Sequence, residues 1–336
     1  MKIALTYNLK VKDASKPADY ASEYDSEETI NAIIDALRKN GHQVEPVEVS
    51  SNEVFGILSR HKVDMVFNIA EGKHGRFRES EIPAILDYLN IPYTGSNTIA
   101  LAIALNKALT KKILKAEGIP TPAFQLFSTG KEQLNTDLRF PLIVKPNFEG
   151  SAKGITRASV VYKTEDLYKR VREIIETYQQ EALVEEFIEG KELTVGVLEN
   201  GKLEALPILE IDFSTAAASG EFFYSWRMKE FQGDKQQGLT PTFYCPARLD
   251  SQTEQRVKEI AIATHRAIGC TDISRTDIRL SLDNIPYVLE INPLPGLNPR
   301  ESNFPLMAYA AGMKYEELIE TIISSAQKRR KQGYGQ

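Results

Sequence analysis

Over the first ninety residues, apolar runs of strand length alternate with stretches of helical period, and that rhythm leaves few folds open. Residues 2–7 read as a buried strand, and a polar stretch to about Asp25 reads as a loop. A helix is expected from Asp25, with Glu28 three positions on at capping-box spacing. Its apolar residues Ile30, Ile33, Ile34 and Leu37 fall at i, i+3, i+4 and i+7, and Gly41 closes it. Residues 44–49 and 63–69 are further strands with a helix between them. Such alternation forms a parallel, doubly wound sheet, because parallel neighbours need a helix-length crossover. Ligands collect beyond the carboxyl ends of these strands, where the loop Glu71-Gly72-Lys73-His74-Gly75-Arg76-Phe77-Arg78-Glu79 begins.

The fold class is therefore α/β, passing to α+β in the later part. Three units are expected, at 1–96, 97–182 and 183–330. The second opens with one long helix ending near Gly118, followed by a strand over 142–145, a loop at 147–154, a helix over 165–178 and a strand over 183–187. The third holds a polar and aromatic segment over 221–240, a helix over 251–268 and a hairpin over 275–292. The basic tail from Lys328 reads as a frayed helix end.

Composition narrows the partners. A net charge of −5 gives no reason to expect nucleic acid. No apolar run approaches the roughly 20 residues of a membrane span, and residues 2–7 are too short for a signal core. Two cysteines, Cys245 and Cys270, lack metal-ligand spacing and read as reduced thiols. The expectation is a cytoplasmic protein acting on small molecules, with neither nucleic acid nor membrane as partner.

The hairpin carries the first candidate chemistry. Thr276-Asp277-Ile278-Arg279-Leu280-Ser281-Leu282 alternates polar and apolar residues, and Tyr287-Val288-Leu289-Glu290-Ile291-Asn292 does so less strictly. A two-residue turn at Asp283-Asn284 pairs Asp277 with Glu290 and Arg275 with Asn292. All four then share one face, with Ile278, Leu280, Leu289 and Ile291 on the other. Two carboxylates about 5 Å apart repel unless a cation lies between them, and two acids with an amide suit magnesium. The alternative is a polar sheet face with Asp277 paired to Arg275 or Arg279. The rigid Pro293-Leu294-Pro295-Gly296 loop directly afterwards favours the metal reading.

Lys145 closes an apolar strand, and Glu149-Gly150-Ser151-Ala152-Lys153-Gly154 follows. These glycines suit either a phosphate-wrapping loop or a plain turn; the pattern is neither a Walker A loop nor a dinucleotide GxGxxG. Lys107 reads as mid-helix. The run Glu185-Glu186-Phe187-Ile188-Glu189-Gly190-Lys191-Glu192 could meet adenine and ribose or serve as a charged interstrand turn.

In order and spacing these segments resemble the ATP-grasp superfamily, and more narrowly the D-alanine–D-alanine ligase branch, over about residues 2–320. The resemblance implies a three-domain ATP-grasp architecture with an N-terminal Rossmann-like sheet. It implies that Lys107 and Lys145 hold ATP phosphates and that Glu149, Gly150, Ser151 and Gly154 belong to the phosphate loop. Glu185, Glu186, Phe187 and Ile188 would surround adenine, and Glu192 would hold the ribose. Lys229 would reach the transferred phosphate from an ω-like loop. Asp277, Glu290 and Asn292 would bind two magnesium ions, with manganese a substitute, while Arg275 and the Gly296 N–H would stabilise the oxyanion. The implied activity joins two small amino acids through an acyl phosphate, as in making a peptidoglycan precursor, in a possible homodimer.

The sequence departs from that branch at its amino-acid end. Ser22 stands where the family has a donor-binding glutamate, with Glu23 next to it, and Glu230 stands where a tyrosine follows the ω-loop lysine. Candidate substrate contacts are Glu23, His74, Arg76, Arg78, Arg300 and Ser302; each arginine could instead be a solvated surface charge. Trp226 and Tyr224 could cap the pocket or anchor their loop. Competing readings are the same ligase with an L-amino acid or hydroxy acid as acceptor, and a non-catalytic ATP-binding module.

Overall fold

The computed structural model describes residues 1–11, 19–60, 62–220, 222–231 and 239–331. His61, Glu221 and residues 232–238 of the polar and aromatic segment, part of the first loop, and the tail from Gln332 lie outside the described residues.

The expected βαβ rhythm is present. β1 (Lys2–Tyr7), α1 (Glu27–Lys39), β2 (Gln43–Glu48), α2 (Val54–Arg60), β3 (Met65–Asn68) and α3 (Glu81–Leu89) follow in order. The strands form a parallel sheet in the order β2-β1-β3. Alternation along β1 sends Ile3 and Leu5 toward α1 and Ala4 toward α2 and α3, so both faces are covered. The cap of α1 is Ser26, not Asp25: its side chain accepts the Thr29 N–H at 3.2 Å.

The long helix read after Gly95 is two helices, α4 (Thr98–Leu105) and α5 (Lys107–Ala116). After them β4 (Phe124–Phe127), β5 (Leu142–Pro146), β6 (Val160–Val161), α6 (Thr164–Tyr178) and β7 (Ala182–Glu186) build an antiparallel sheet in the order β4-β7-β5-β6. The boundary expected at 182/183 thus falls inside β7, whose pairing keeps it in this sheet. This sheet packs α6 over a core of its own, made of Phe127, Leu142, Val144, Leu167, Val171 and Val184.

The last sheet contains β8 (Gly190–Glu199), β9 (Leu203–Ala205), β10 (Leu209–Asp212), β11 (Thr242–Tyr244), β12 (Ile273–Ser281) and β13 (Pro286–Asn292), with α7 (Trp226–Glu230) and α8 (Ser251–Ile268) between strands. Its order is β11-β10-β8-β12-β13, with β9 against β8. α9 (Asn303–Ala310) and α10 (Tyr315–Lys331) return the chain to the first sheet. One core runs through Ile3, Leu5 and Ile33 of the first unit, Leu198 and Ile211 of the last, and Ile319 and Ile322 of α10. The basic end of α10 is not frayed at Arg329, which donates to the Tyr93 carbonyl at 3.0 Å and to Asp272 at 3.1 Å.

No helix of the described residues is long and apolar enough to cross a membrane. Cys270 is buried, Cys245 is half-buried, and both are free thiols.

Candidate functional site

β12 and β13 wall a cavity of ≈ 480 Å³ between the three sheets. Asp277 faces Glu290 and Arg275 faces Asn292, as the sequence predicts, but by a different route. The hairpin loop is residues 282–284, closed by the Ser281 N–H donating to the Ile285 carbonyl at 3.0 Å, with Asn284 left-handed at φ 57°. A bulge beyond Asp277 compensates for the extra loop residue and leaves Leu289 unpaired in the ladder. Val288 therefore takes the core place expected of Leu289, which lines the cavity instead.

The paired acids meet cations. Arg275 grips Asp277 with Nε at 3.0 Å and Nη2 at 2.8 Å, and Lys107 Nζ lies 2.8 Å from Glu290. Thr194 donates to Asp277 at 2.6 Å, and Asn292 Nδ2 lies 3.5 Å from it. Burial raises the proton affinity of Glu290, but Lys107, Lys145 and Arg275 outweigh it and hold the carboxyl well below its usual range. The Arg275–Asp277 pair allowed by the sequence is thus present, but inside the cavity. Two carboxylates and an amide on adjacent strands fit a hard cation such as magnesium, which takes further oxygens from phosphate and water. Among the described residues no three His, Cys, Asp or Glu converge on one ion, so the Asn292 amide and outside oxygens would have to complete the shell.

Asn106 breaks the expected long helix. At φ −85° and ψ 89° it ends α4 and caps α5, accepting the Leu109 N–H at 3.1 Å. Lys107 is consequently the first residue of α5, buried and aimed at Glu290, rather than a mid-helix residue. Asn147 holds that turn: its carbonyl accepts the Lys107 N–H at 3.1 Å and its side chain the Ala108 N–H at 2.9 Å.

Glu185 lies between two lysines, 2.5 Å from Lys145 and 2.8 Å from Lys111. Burial alone would raise its pKa, yet Lys111 and Lys145 lower it. Lys111 escaped the sequence reading, although it follows Lys107 by one helical turn; burial pushes its ammonium down to about 8.

The glycine loop is folded against the N-terminal loop. Ser151 and Ala152 are left-handed at φ 50° and 56°. The Gly150 N–H donates to Glu23 at 2.7 Å. Lys153 pairs with Glu149 at 2.6 Å and Glu23 at 3.4 Å, and Arg78 meets Glu23 at 2.6 Å. Burial opposes ionisation of Glu23, but Arg78 and Lys153 bring its pKa down to about 2. Lys229 Nζ donates to Ser151 Oγ at 2.9 Å, from a helix capped by Ser225. Trp226 anchors that helix by donating to Ser22 Oγ at 2.8 Å, and Glu230 pairs with Lys10 at 3.1 Å.

At the far end Glu186, Phe187, Ile188 and Glu192 line the cavity. Glu186 accepts the Arg139 N–H at 2.9 Å. Arg279, named in the sequence only as a possible ion partner, lies 4.9 Å over the Phe187 ring and 3.7 Å from Glu192. Burial raises the Glu192 pKa against the pull of Arg279. The strand period, which puts Arg279 on the face of Arg275 and Asp277, was the available signal.

Glu23, Ser302 and Gly296 also line the cavity, and Arg78 stands behind Glu23 rather than in solvent. Ser302 Oγ accepts the Asn298 N–H at 3.0 Å and lies 2.8 Å from where a Cβ on Gly296 would be, so a side chain there would have to displace that hydroxyl. His74, Arg76 and Arg300 do not line the cavity. His74 is exposed, Arg76 pairs with Glu181 at 2.9 Å, and Arg300 reaches Glu28 at 3.4 Å with its side chain 81% exposed. Three cavity acids not singled out from the sequence, Asp25, Glu71 and Glu79, complete this wall.

Comparison with known proteins agrees with the geometry. The family model described as D-ala D-ala ligase C-terminus matches residues 113–324. The D-alanine–D-alanine ligase of Carboxydothermus hydrogenoformans is 35% identical over 305 residues, which is 88% of this chain and 91% of that protein. An uncharacterised protein, y4sG of Sinorhizobium fredii, is 36% identical over 265 residues, covering 79% of this chain and 75% of its own. The crystal structure of D-alanine–D-alanine ligase from Bacillus anthracis superimposes with TM-score 0.78 at 28% identity, covering 99% of both chains, and that enzyme has also been solved complexed with ATP.

Proposed function

The chain belongs to the D-alanine–D-alanine ligase family of ATP-grasp enzymes, ATP-dependent ligases that form a C–N bond, and from this we propose that it joins two small amino acids, with D-alanine the default for both. The observation that carries the reading is the convergence of the Asp277–Glu290 pair, Lys107, Arg275 and the glycine loop on one cavity.

A carboxylate oxygen of the first amino acid attacks the γ-phosphorus of ATP, and ADP leaves with the electrons of the broken P–O bond. The amine nitrogen of the second adds to the acyl carbon and loses a proton to solvent, and inorganic phosphate leaves. Anion meets anion in the first step, so cationic side chains are needed around the phosphate. Lys107, Lys145 and Lys229 supply them. Asp277, Glu290 and Asn292 would hold magnesium, which when bound neutralises phosphate charge. Arg275 and the Gly296 N–H are the fixed donors for the tetrahedral oxyanion. Phe187, Ile188, Glu186 and Glu192 form the nucleoside end, with Arg279 supporting Phe187 and Glu192.

Three units support this division of labour: a first one over 1–96, the glycine-loop sheet ending with β7, and the hairpin sheet to about 330. A peptidoglycan-type dipeptide is the product expected by default. The test is purified enzyme with ATP, magnesium and a panel of amino and hydroxy acids, read as phosphate release and product mass. One phosphate per amide bond is the expected result. ATP binding without phosphate release from any pair overturns the reading in favour of a silent module.

A further inference from the structure

Asp25, Glu71 and Glu79 line the first-sheet wall of the cavity, and among the described residues none of their side chains makes a hydrogen bond or ion pair. Acids around them are engaged: Glu23 and Glu149 with Lys153, Asp277 with Arg275, Glu290 with Lys107. Of the cations that act on them, Arg78 is paired with Glu23 and Lys107 with Glu290, while Lys229, which acts on Asp25, donates to the neutral Ser151 hydroxyl. Glu79 is only 9% exposed.

These acids are held in place. Asn8 Oδ1 accepts the N–H groups of Glu71 at 2.9 Å and Gly72 at 3.1 Å, and Glu81 accepts the Lys73 N–H at 2.7 Å. Gly72 is left-handed at φ 78°, and a Cβ there would collide with the Arg78 carbonyl, so the loop has one path. Burial pushes Asp25 and Glu79 up to about 7 and raises Glu71 well above its ordinary value, outweighing the pull of Lys229 on Asp25 and of Arg78 on the two glutamates. A bound cation would restore their ionised form. A metal ion does not suit them, because no three acids among the described residues converge on one point. An extended organic cation does.

We propose that the amino acid seated against the first sheet carries a second ammonium group, as 2,4-diaminobutyrate, ornithine and lysine do, and that Asp25, Glu71 and Glu79 bind it. The inference rests on the ligase reading and deepens it by naming the substrate class. A single α-ammonium satisfies one of three acids; a diamino acid spans the set while its carboxylate points toward Lys107 and the hairpin. Phosphoryl transfer and amide formation are unchanged.

The test gives full-length enzyme ATP and magnesium with D-alanine alone, then D-alanine with either enantiomer of each diamino acid, and with norvaline or norleucine as uncharged length controls. Phosphate release and product mass are read. The expected result is a kcat/KM at least about tenfold higher for one diamino acid than for D-alanine or the controls, and a tenfold or greater loss of that preference in Glu79→Gln. If Glu79→Gln does not fold, Asp25→Asn makes the same comparison. Diamino acids no better than norvaline overturn this inference and leave the ligase reading standing. No phosphate from any pair ends both.

Discussion

Lys229 donates a 2.9 Å hydrogen bond to Ser151, tying the short helix α7 to the left-handed turn of the glycine loop. Two segments 78 residues apart thus meet over the cavity through one ammonium and one hydroxyl. Burial, followed by repulsion from Arg275, lowers the Lys229 pKa. Ser151→Ala should reduce kcat by about tenfold and raise the ATP consumed per amide bond above one, because a looser cover admits water to the acyl phosphate. Parallel phosphate and product assays decide it; a ratio that stays at one counts against this contact as a closure.

Glu290→Gln should abolish ATP turnover, by roughly a thousandfold or more, in a chain that still folds but is less stable than the parent because buried Lys107 loses its counter-charge. The charge that faces Lys107 at 2.8 Å is removed while the side-chain shape is kept. Near-normal turnover in this variant would end the metal assignment.

Lys111 has no exposed surface and shares Glu185 with Lys145. Removing one member of a buried ionic cluster leaves an uncompensated charge, typically about 3 kcal/mol. Lys111→Ala is expected to lower the urea unfolding free energy by about that much and to raise the KM for ATP, since Lys145 then becomes the only lysine left to balance Glu185. A stability loss below about 1 kcal/mol would show that the cluster relaxes.

His265 is buried with Nδ1 2.8 Å from Ser274 Oγ, and burial pulls its pKa from 6.5 down to about 4. The fold thus favours the neutral ring. This contribution is complete above the unfolded value of 6.5 and is lost as pH falls through it toward 4. A destabilisation on the order of 2 kcal/mol by about pH 4.5 follows, and His265→Asn should flatten that part of the profile. Chemical denaturation of both proteins across this pH range is the measurement.

Strand period and helical period were enough to read the first sheet, α8 and the hairpin, because each of those elements buries one regular face. The pairing of Asp277 with Glu290 was legible too, although two misreadings offset each other: the loop is one residue longer than expected, and the bulge at Leu289 absorbs it. Asn106 was not legible as a break, because the residues on either side continue the apolar helical pattern and only the capped geometry separates α4 from α5. Arg78 reads as a surface charge in any local window. Its burial depends on Glu23, 55 residues earlier, and on the Phe148 carbonyl, 70 later, which no periodicity can bring together. For the same reason the loop arginines Arg76 and Arg78, two residues apart, have opposite fates.

The core shared by the first sheet, the last sheet and α10, set against the separate core of β4–β7, makes the molecule mechanically a two-part device. On adding nucleotide the expected motion is therefore a swing of the middle sheet, a jaw working against a fixed block. Labels at the exposed residues Tyr88 and Tyr162 should change separation on adding ATP, whereas a pair at Tyr88 and Leu282 should not. The Arg329 clasp, which ties Tyr93 of the first unit to Asp272 just before β12, stiffens that block and not the moving jaw.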